Sequence, residues 1–425
     1  MPTELRTRPL SARELALRVL DATLLDQEPP EARFAQLTRG AGMSVRDRAF
    51  ARLLYTTVLR HKAAIDRALS AHLTALPKQR SAMNLLRLGA AQLLYLETAP
   101  HAAVGECVEL AKRRRLAPPG LVNAILRKLV GAKPPPPAPL ETLPDWLRER
   151  WIAHFGAERA TAIATAQGSV PPLDLTVKDD PEGWAARLGG RVVGPSTVRL
   201  ANAGQVEDLP GYADGEWWVQ DLAATLPVRI LRPTSGERVL DLGAAPGGKT
   251  AQLLTAGAVV TSLERDPSRT ARLRANLQRL GLQSEVVVTD LLDFAPAEPF
   301  DAVLLDAPCT ATGTIRRHPD IMWTKGPADI ASMAAQQQLL LARAAAFVAP
   351  RGRLVYAVCS MEREEGPQVV LRFLEAHADF ARLPIHEAET GFEPTPAGDL
   401  CTHPALLPDA GGMDGFFIAR LIRNV

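Results

Sequence analysis

The sequence Arg238-Val-Leu-Asp-Leu-Gly-Ala-Ala-Pro-Gly-Gly-Lys-Thr250 joins a short apolar run to a glycine-rich turn and then to a helical pattern. Arg238–Leu242 has the length and apolar content of a buried strand, and Lys249–Leu254 continues as a helix. Strand, glycine-rich turn and helix form the layout of a nucleotide-type cofactor site at the carboxyl end of a parallel sheet. Gly243, Gly247 and Gly248 are expected to bring the backbone close to a ligand and to point bare amides at it. The dinucleotide fingerprint G-x-G-x-x-G is absent, because Ala244, Ala245 and Pro246 separate Gly243 from Gly247. The Walker A spacing is met formally, from Gly243 to Gly248, Lys249 and Thr250.

The strands that follow decide between these ligands. Ala258–Leu263 reads as a second strand ending in Glu264, and Glu285–Thr289 as a third ending in Asp290. Phe300–Leu305 is a fourth, ending in Asp306-Ala-Pro-Cys309, and Arg353–Val358 a fifth, ending in Cys359-Ser360. Acids or cysteines therefore gather at one sheet edge. An acid at the end of the second strand suits ribose hydroxyls. A triphosphate with magnesium gains little from cysteines at two strand ends. A methyl donor with a ribose, an adenine and a sulfonium fits this rim better, and the ATPase reading is set aside.

The 425-residue length suggests roughly two to four domains. No apolar run approaches the roughly 20 residues that span a bilayer, and Met1–Leu10 lacks the apolar segment of a secretory signal. The four cysteines, Cys107, Cys309, Cys359 and Cys401, show neither disulfide nor metal spacing, as expected of reduced thiols in a cytoplasm. Net charge is +2 overall but uneven: residues 1–133 carry 22 Lys/Arg against 11 Asp/Glu, and residues 134–425 carry 27 against 36. A basic front part points toward a polyanion, against the plainer reading of solvated helix faces.

Residues 1–133 read as all helix. Ser11 with Glu14, and Ser44 with Asp47, form capping boxes before helically spaced apolar residues, and Ser81 is expected to open a further helix. Lys112–Arg115 is a solvated helix end first and a phosphate contact second. Lys133-Pro-Pro-Pro-Pro-Ala-Pro139 is a stiff extended linker. Residues 134–215 contain this linker, two helices and a small α/β module, and residues 216–425 form the core, with Trp217–Asp221 beginning it. Leu383–Leu407 is read as loop.

Several blocks in this order resemble the bacterial ribosomal RNA small subunit methyltransferase B group (the Fmu/Sun type) of the RNA cytosine-5 methyltransferases. They are Asp241-Leu-Gly-Ala-Ala-Pro-Gly-Gly-Lys-Thr250, Leu305-Asp-Ala-Pro-Cys-Thr310, Gly313-Thr-Ile-Arg-Arg-His-Pro-Asp320, Tyr356-Ala-Val-Cys-Ser360 and Asp414-Gly-Phe-Phe417. Upstream, Asp47–Arg60 and Leu121–Arg127 resemble the NusB-type helical RNA-binding domain found in front of such enzymes. The resemblance implies an all-α N-terminal RNA-binding domain and a Rossmann-like α/β class I core with a mostly parallel sheet. It implies S-adenosyl-L-methionine as cofactor, no metal, and small-subunit ribosomal RNA as partner in the cytoplasm. It names no membrane or oligomeric partner.

Carbon 5 of cytosine is a weak nucleophile, and a thiolate added at carbon 6 makes it an enamine that can take a methyl group. The resemblance makes Cys359 that nucleophile, gives Cys309 the release of product, and sets Asp306 against the cytosine edge. It lines the methyl-donor site with Gly243, Ala244, Ala245, Pro246, Gly247, Gly248, Lys249, Glu264, Asp290 and Asp306. Plainer readings stand beside these. Either cysteine could be a small buried hydrophobe, and Cys107 and Cys401 are read that way. Glu264 could favour a helix start, Asp290 could cap a turn at Leu291, and Lys249 could be a surface cation. Arg316-Arg-His-Pro-Asp320 could meet RNA phosphates or form a structural ion-pair cluster. The chain departs from the group at Gly243, at Val358 where Thr is usual, and at Thr310 where Ser is usual, none of which removes a reacting group. The alternatives are a non-catalytic RNA-binding or assembly factor, a methyltransferase acting on another RNA such as tRNA, and a DNA-type enzyme in which Cys309 would be the nucleophile.

Overall fold

The computed structural model describes residues 10–132, 136–201 and 203–424. The start of the chain and the first residues of the expected proline linker, 133–135, lie outside them. Two compact units divide the rest: the chain up to Gly168 together with His318–Gly326, and Ser169–Arg317 together with Pro327 to the end.

The first unit is helical. Ala12–Leu25, Pro30–Thr38, Val45–Ser70, Arg80–Leu94, Pro100–Arg114 and Pro119–Leu129 bury a shared apolar core that includes Leu15, Leu20, Leu54, Leu59, Leu86, Leu110 and Leu126. Ser11 and Ser44 cap as expected, each hydroxyl oxygen accepting from the amide three residues on, at 3.2 and 3.0 Å. Ser81 does not cap: Gln79 holds the N-cap position without a side-chain cap bond, and the Ser81 hydroxyl donates to Asp21 at 2.5 Å. The basic run closes Pro100–Arg114, where cations favour the helix dipole, and Arg113 pairs with Glu14 at 3.0 Å. Asp145–Phe155 and Ala157–Gln167 also belong to this unit, with Arg60 donating to the Gln167 carbonyl at 3.1 Å. The sequence had grouped these two helices with the α/β insert.

The second unit holds two sheets. The smaller is antiparallel, built from β1 (Leu173–Val177), β2 (Arg191–Gly194), β3 (Thr197–Leu200) and β4 (Trp217–Val219) in the order β2-β3-β1-β4. Trp217–Val219 therefore pairs with β1 and does not open the core sheet. A buried ion pair, Arg199 with Asp174 at 2.6 Å, ties two of its strands.

The larger sheet contains β5 (Arg238–Leu242), β6 (Val259–Glu264), β7 (Glu285–Val288), β8 (Phe300–Asp306), β9 (Val348–Val358), β10 (Phe380–Arg382), β11 (Leu400–Cys401) and β12 (Phe417–Arg423). Its order is β10-β12-β9-β8-β5-β6-β7, with β11 on β12. Strands β7, β6, β5, β8 and β9 run parallel, and β12 is antiparallel to β9. β11 and the short helix Glu387–Thr390 lie inside the segment expected to be loop.

Side chains of the central strands alternate between two apolar layers, as the two-residue period of a strand requires. Leu240, Leu242, Val303, Leu305 and Tyr356 meet Leu341, Ala344, Val370 and Phe373 from helices Pro327–Ala345 and Pro367–Ala376. Val239, Ala302, Leu304 and Val355 meet Leu222, Leu226 and Ile230 from helix Leu222–Leu231. Both faces are covered, so the strands read as apolar runs. Strand order reverses between β5 and β8. That switch point is where an open α/β sheet opens a crevice beyond its strand ends.

Candidate active site

The register brings the acidic strand ends together. Leu242 sits beside Leu263 and Leu305, so Gly243, Glu264 and Asp306 emerge at one edge of the sheet, with Ala357 of β9 beside Asp306. A cavity of about 310 Å³ opens there. Glu264, Asp290, Asp306, Cys309 and Cys359 line it with Leu263, Leu291 and Leu340.

The glycine turn is shaped differently from a phosphate cradle. Gly243 has φ 79°, and a Cβ there would lie 2.6 Å from the Asp306 carbonyl oxygen, so β5 and β8 approach closely only because this residue is glycine. The amides of Gly243 and Ala244 donate to the Leu263 carbonyl, and that of Gly247 to the Ala244 carbonyl. Of the glycines expected to present bare amides, Gly243 and Gly247 therefore do not. Lys249 donates to Asp306 at 2.7 Å, and the Thr250 hydroxyl to the buried Asp241 at 2.6 Å. In a P-loop those two side chains would serve phosphate and metal, so the formal Walker A spacing describes a different structure here. Ala244 and Ala245 pack on Leu273 and Leu277, and Pro246 is exposed. Of the turn residues, Gly243 reaches the cavity wall.

Electrostatics at this edge follow from burial. Desolvation pushes Asp241 up to about 6 against the lowering effect of the Thr250 hydrogen bond. Burial opposes the charge on Lys249, but the adjacent Asp306 carboxylate outweighs it and holds the ammonium above its ordinary range. Lys249 is thus no surface cation. Glu264 is 2% exposed; its Oε1 accepts from the Asp266 amide at 3.1 Å, and its Oε2 has no hydrogen-bond donor, though Arg269 stands 3.4 Å away. Asp290 does two things at once: it accepts from the Leu292 amide at 2.9 Å, as a turn cap does, and it lines the cavity.

At the other end, Cys309 and Cys359 stand with their sulfurs 3.4 Å apart, both partly open to the cavity. The hydrogen bond with Cys359, then burial, hold the Cys309 thiol well above its ordinary range. Cys107 is a buried hydrophobe, and burial pushes its thiol up to about 12. Cys401 is exposed, which corrects the buried reading given to it.

Sequence reasoning missed the support of the cysteine loops. Glu365 is fully buried, and its carboxylate accepts from the Thr310 amide at 2.8 Å and from the Ser360 hydroxyl at 2.5 Å. Gly313 donates to the Cys359 carbonyl at 3.0 Å and accepts from the Gly415 amide at 2.9 Å. Arg316 and Arg317 are the structural ion-pair cluster. Arg316 meets Asp414 at 2.8 Å, and Arg317 meets Asp221 at 2.5 Å and Asp414 at 3.0 Å. Burial and the neighbouring Asp221 raise Asp414 to about 6. Spacing in the sequence gave no hint that Asp221 would meet Asp414.

The profile of the 16S rRNA methyltransferase RsmB/F family matches residues 228–422, and that of the NusB family residues 10–131. The ribosomal RNA small subunit methyltransferase B of Klebsiella pneumoniae is 37% identical over 409 residues, covering 90% of this chain and 91% of that protein. The chain belongs to the ribosomal RNA small subunit methyltransferase B family. Its counterpart in Sodalis glossinidius is also 37% identical, over 90% of this chain and 92% of its own. A methyltransferase homologue from Pyrococcus horikoshii is 27% identical with a TM-score of 0.55, covering 65% of this chain and 94% of its own. The fold is thus a NusB-type helical domain and a mostly parallel, mixed-sheet core of an S-adenosyl-L-methionine-dependent methyltransferase. The site fits that donor: buried Glu264 Oε2 accepts no hydrogen bond, with Arg269 3.4 Å away, and Leu263, Leu291 and Leu340 give the cavity an apolar wall. Among the described residues no group of His, Cys, Asp and Glu could hold a metal, and no helix is long and apolar enough to cross a membrane.

Proposed function

We propose that this chain transfers a methyl group from S-adenosyl-L-methionine to carbon 5 of a cytosine in 16S ribosomal RNA, through a covalent bond between Cys359 and that base. The observation that carries this reading is the pair of cysteine sulfurs 3.4 Å apart at one end of a cavity whose other end holds Glu264. A single thiol would suffice for adding to the base. A second one in contact with it suits a reaction that must also expel the first.

The bound donor supplies an electrophilic methyl carbon to carbon 5. Glu264 would hold its ribose, Asp290 and the apolar wall would hold its adenine end, and Gly243 would bound its other end, with Lys249 acting through Asp306. Cys359, its thiol proton having passed to solvent, bonds carbon 6 through Sγ as a thiolate, and the electron pair released toward ring nitrogen 3 makes carbon 5 nucleophilic. Asp306, held through Oδ2 by Lys249, accepts from the exocyclic amine of the cytosine and fixes the ring. After methylation carbon 5 must lose its proton. Once Cys359 is bonded to the base, the largest of the influences that keep Cys309 protonated is gone. Cys309 then releases its own proton to solvent and, as the thiolate, takes the carbon 5 proton; the double bond re-forms, and Cys359 leaves as a thiolate.

The helical front part, residues 1–133, would bind the RNA through its excess of cations, with residues 134–215 and the core 216–425 presenting the base. The target base must leave its stack, at about a few kcal/mol. Digestion of 16S RNA after incubation with labelled donor, followed by mass analysis of the nucleosides, tests the reading. 5-Methylcytidine is expected. Label in any other nucleoside, or donor binding without transfer to this or another RNA, would contradict it.

A further inference from the structure

Glu365 lies on the turn that follows Cys359-Ser360, away from the cavity lining. A buried carboxylate without a cation is costly unless hydrogen bonds replace its water. Here donors converge on both oxygens. Oε1 accepts from the Thr310 amide at 2.8 Å and from Gln337 Nε2 at 3.1 Å, and Oε2 from the hydroxyls of Ser360, at 2.5 Å, and Thr310. A carboxylate has acceptor capacity for all of these; a glutamine has one acceptor oxygen. Thr310 follows Cys309 and Ser360 follows Cys359, so one side chain ties the two cysteine-bearing strand ends together. Gln337 extends the tie by donating to the Pro308 carbonyl at 2.8 Å, and the Tyr356 hydroxyl fixes the Glu365 carbonyl at 2.5 Å.

We propose that Glu365 is the positioning residue of the cysteine pair, clamping both loops so that the two sulfurs address the same base from adjoining points. The proposal rests on the two-cysteine function given above and goes beyond it, since a residue that touches neither substrate nor donor sets the geometry. Its charge has a second effect. The groups facing the thiols are Glu365, Tyr356, Asp306 and Lys249, and the Glu365 carboxylate disfavours ionisation of Cys309. The clamp thereby also helps to keep the proton on Cys309 until Cys359 has reacted.

Glu365→Gln tests this in the full-length chain. Binding of S-adenosyl-L-methionine is expected to stay within about two-fold, because the clamp does not line the donor end. Covalent adduct formation with RNA carrying 5-fluorocytosine, which cannot lose its carbon 5 substituent as a proton, should slow on the order of 10²-fold, as for a small misplacement of reacting atoms. Alkylation of Cys309 by iodoacetamide, followed by peptide mass analysis, should shift to lower pH, a change that a merely structural residue would not cause. Unchanged adduct rate and an unchanged alkylation profile overturn the proposal. Should Glu365→Gln fail to fold, Ser360→Ala and Thr310→Val take its place. Each removes one hydroxyl from the carboxylate and should slow adduct formation about ten-fold; wild-type rates in both overturn the proposal. The wild-type enzyme separates the two claims. Absence of its own adduct defeats the two-cysteine function, whereas a normal wild-type adduct with unaffected variants defeats the clamp alone.

Discussion

The donor end and the cysteine end of the cavity are built by different means. The donor end is made by backbone: a strand ends, Gly243 lets β5 lie against β8, and Glu264 and Asp290 stand at the ends of neighbouring strands. The cysteine end is made by side chains and close contacts between segments far apart in sequence, with Glu365 under both loops and Gly313 against Gly415. The lesson is that a local backbone solution can be read from one stretch of chain, whereas a clamp whose partners stand 55 residues apart cannot.

The largest expected effect breaks the cysteine end alone. At Gly313 a Cβ would lie 1.9 Å from the Gly415 carbonyl oxygen and 2.9 Å from that of Cys359. Both obstacles are backbone, so the loops must move apart. Gly313→Ala should abolish turnover and lower thermal stability by about 1–3 kcal/mol, as overpacking does. Donor affinity, measured by calorimetry, should remain within about two-fold. Loss of donor binding to the same degree would show that the two ends are one structural piece.

Glu264→Ala should break the opposite end. Losing hydrogen bonds to a charged group, worth about 1.5–3 kcal/mol, should weaken donor binding roughly ten- to a hundred-fold. The trapped adduct with 5-fluorocytosine RNA should recover to the wild-type level once donor is raised to saturation. An unchanged donor titration would remove Glu264 from the site.

A smaller effect sharpens the contrast through pH. Asp241 lies beneath the donor end with a folded pKa of about 6, above the 3.8 of a free aspartate. The folded state therefore binds its proton more tightly than the unfolded chain, and stability from this group falls as pH rises from about 3.8 to about 6. Asp241→Asn should flatten that part of the melting-temperature profile. Asp414, also raised to about 6, should leave a residual slope of the same sign. A variant whose profile overlays the wild type would contradict the assignment.

Most of the core was legible because its strands are apolar runs that end in acids and glycines. β5 falls at the residues expected. What escaped had a physical reason. Helix Pro30–Thr38 opens on Pro29-Pro30 with no side-chain cap, so it carries turn-like residues where a helix signal is sought. β4 is three residues long and finds its partner in β1 only through the fold. Within the site, the two cysteines and their acids were visible as strand-end residues. Glu365 and the Asp221–Arg317–Asp414 cluster were not, because their meaning lies in partners set by tertiary packing.

The division of labour between the two sulfurs is tested most directly by which cysteine variant holds RNA. Each variant is incubated with S-adenosyl-L-methionine and unmodified 16S RNA and run on a denaturing gel. Cys359→Ala should be inactive and show no protein–RNA species. Cys309→Ala should attack and methylate, then stall, and accumulate a covalent species that survives denaturation. The reverse pattern, an adduct that vanishes in Cys309→Ala and persists in Cys359→Ala, would contradict the account and make Cys309 the nucleophile.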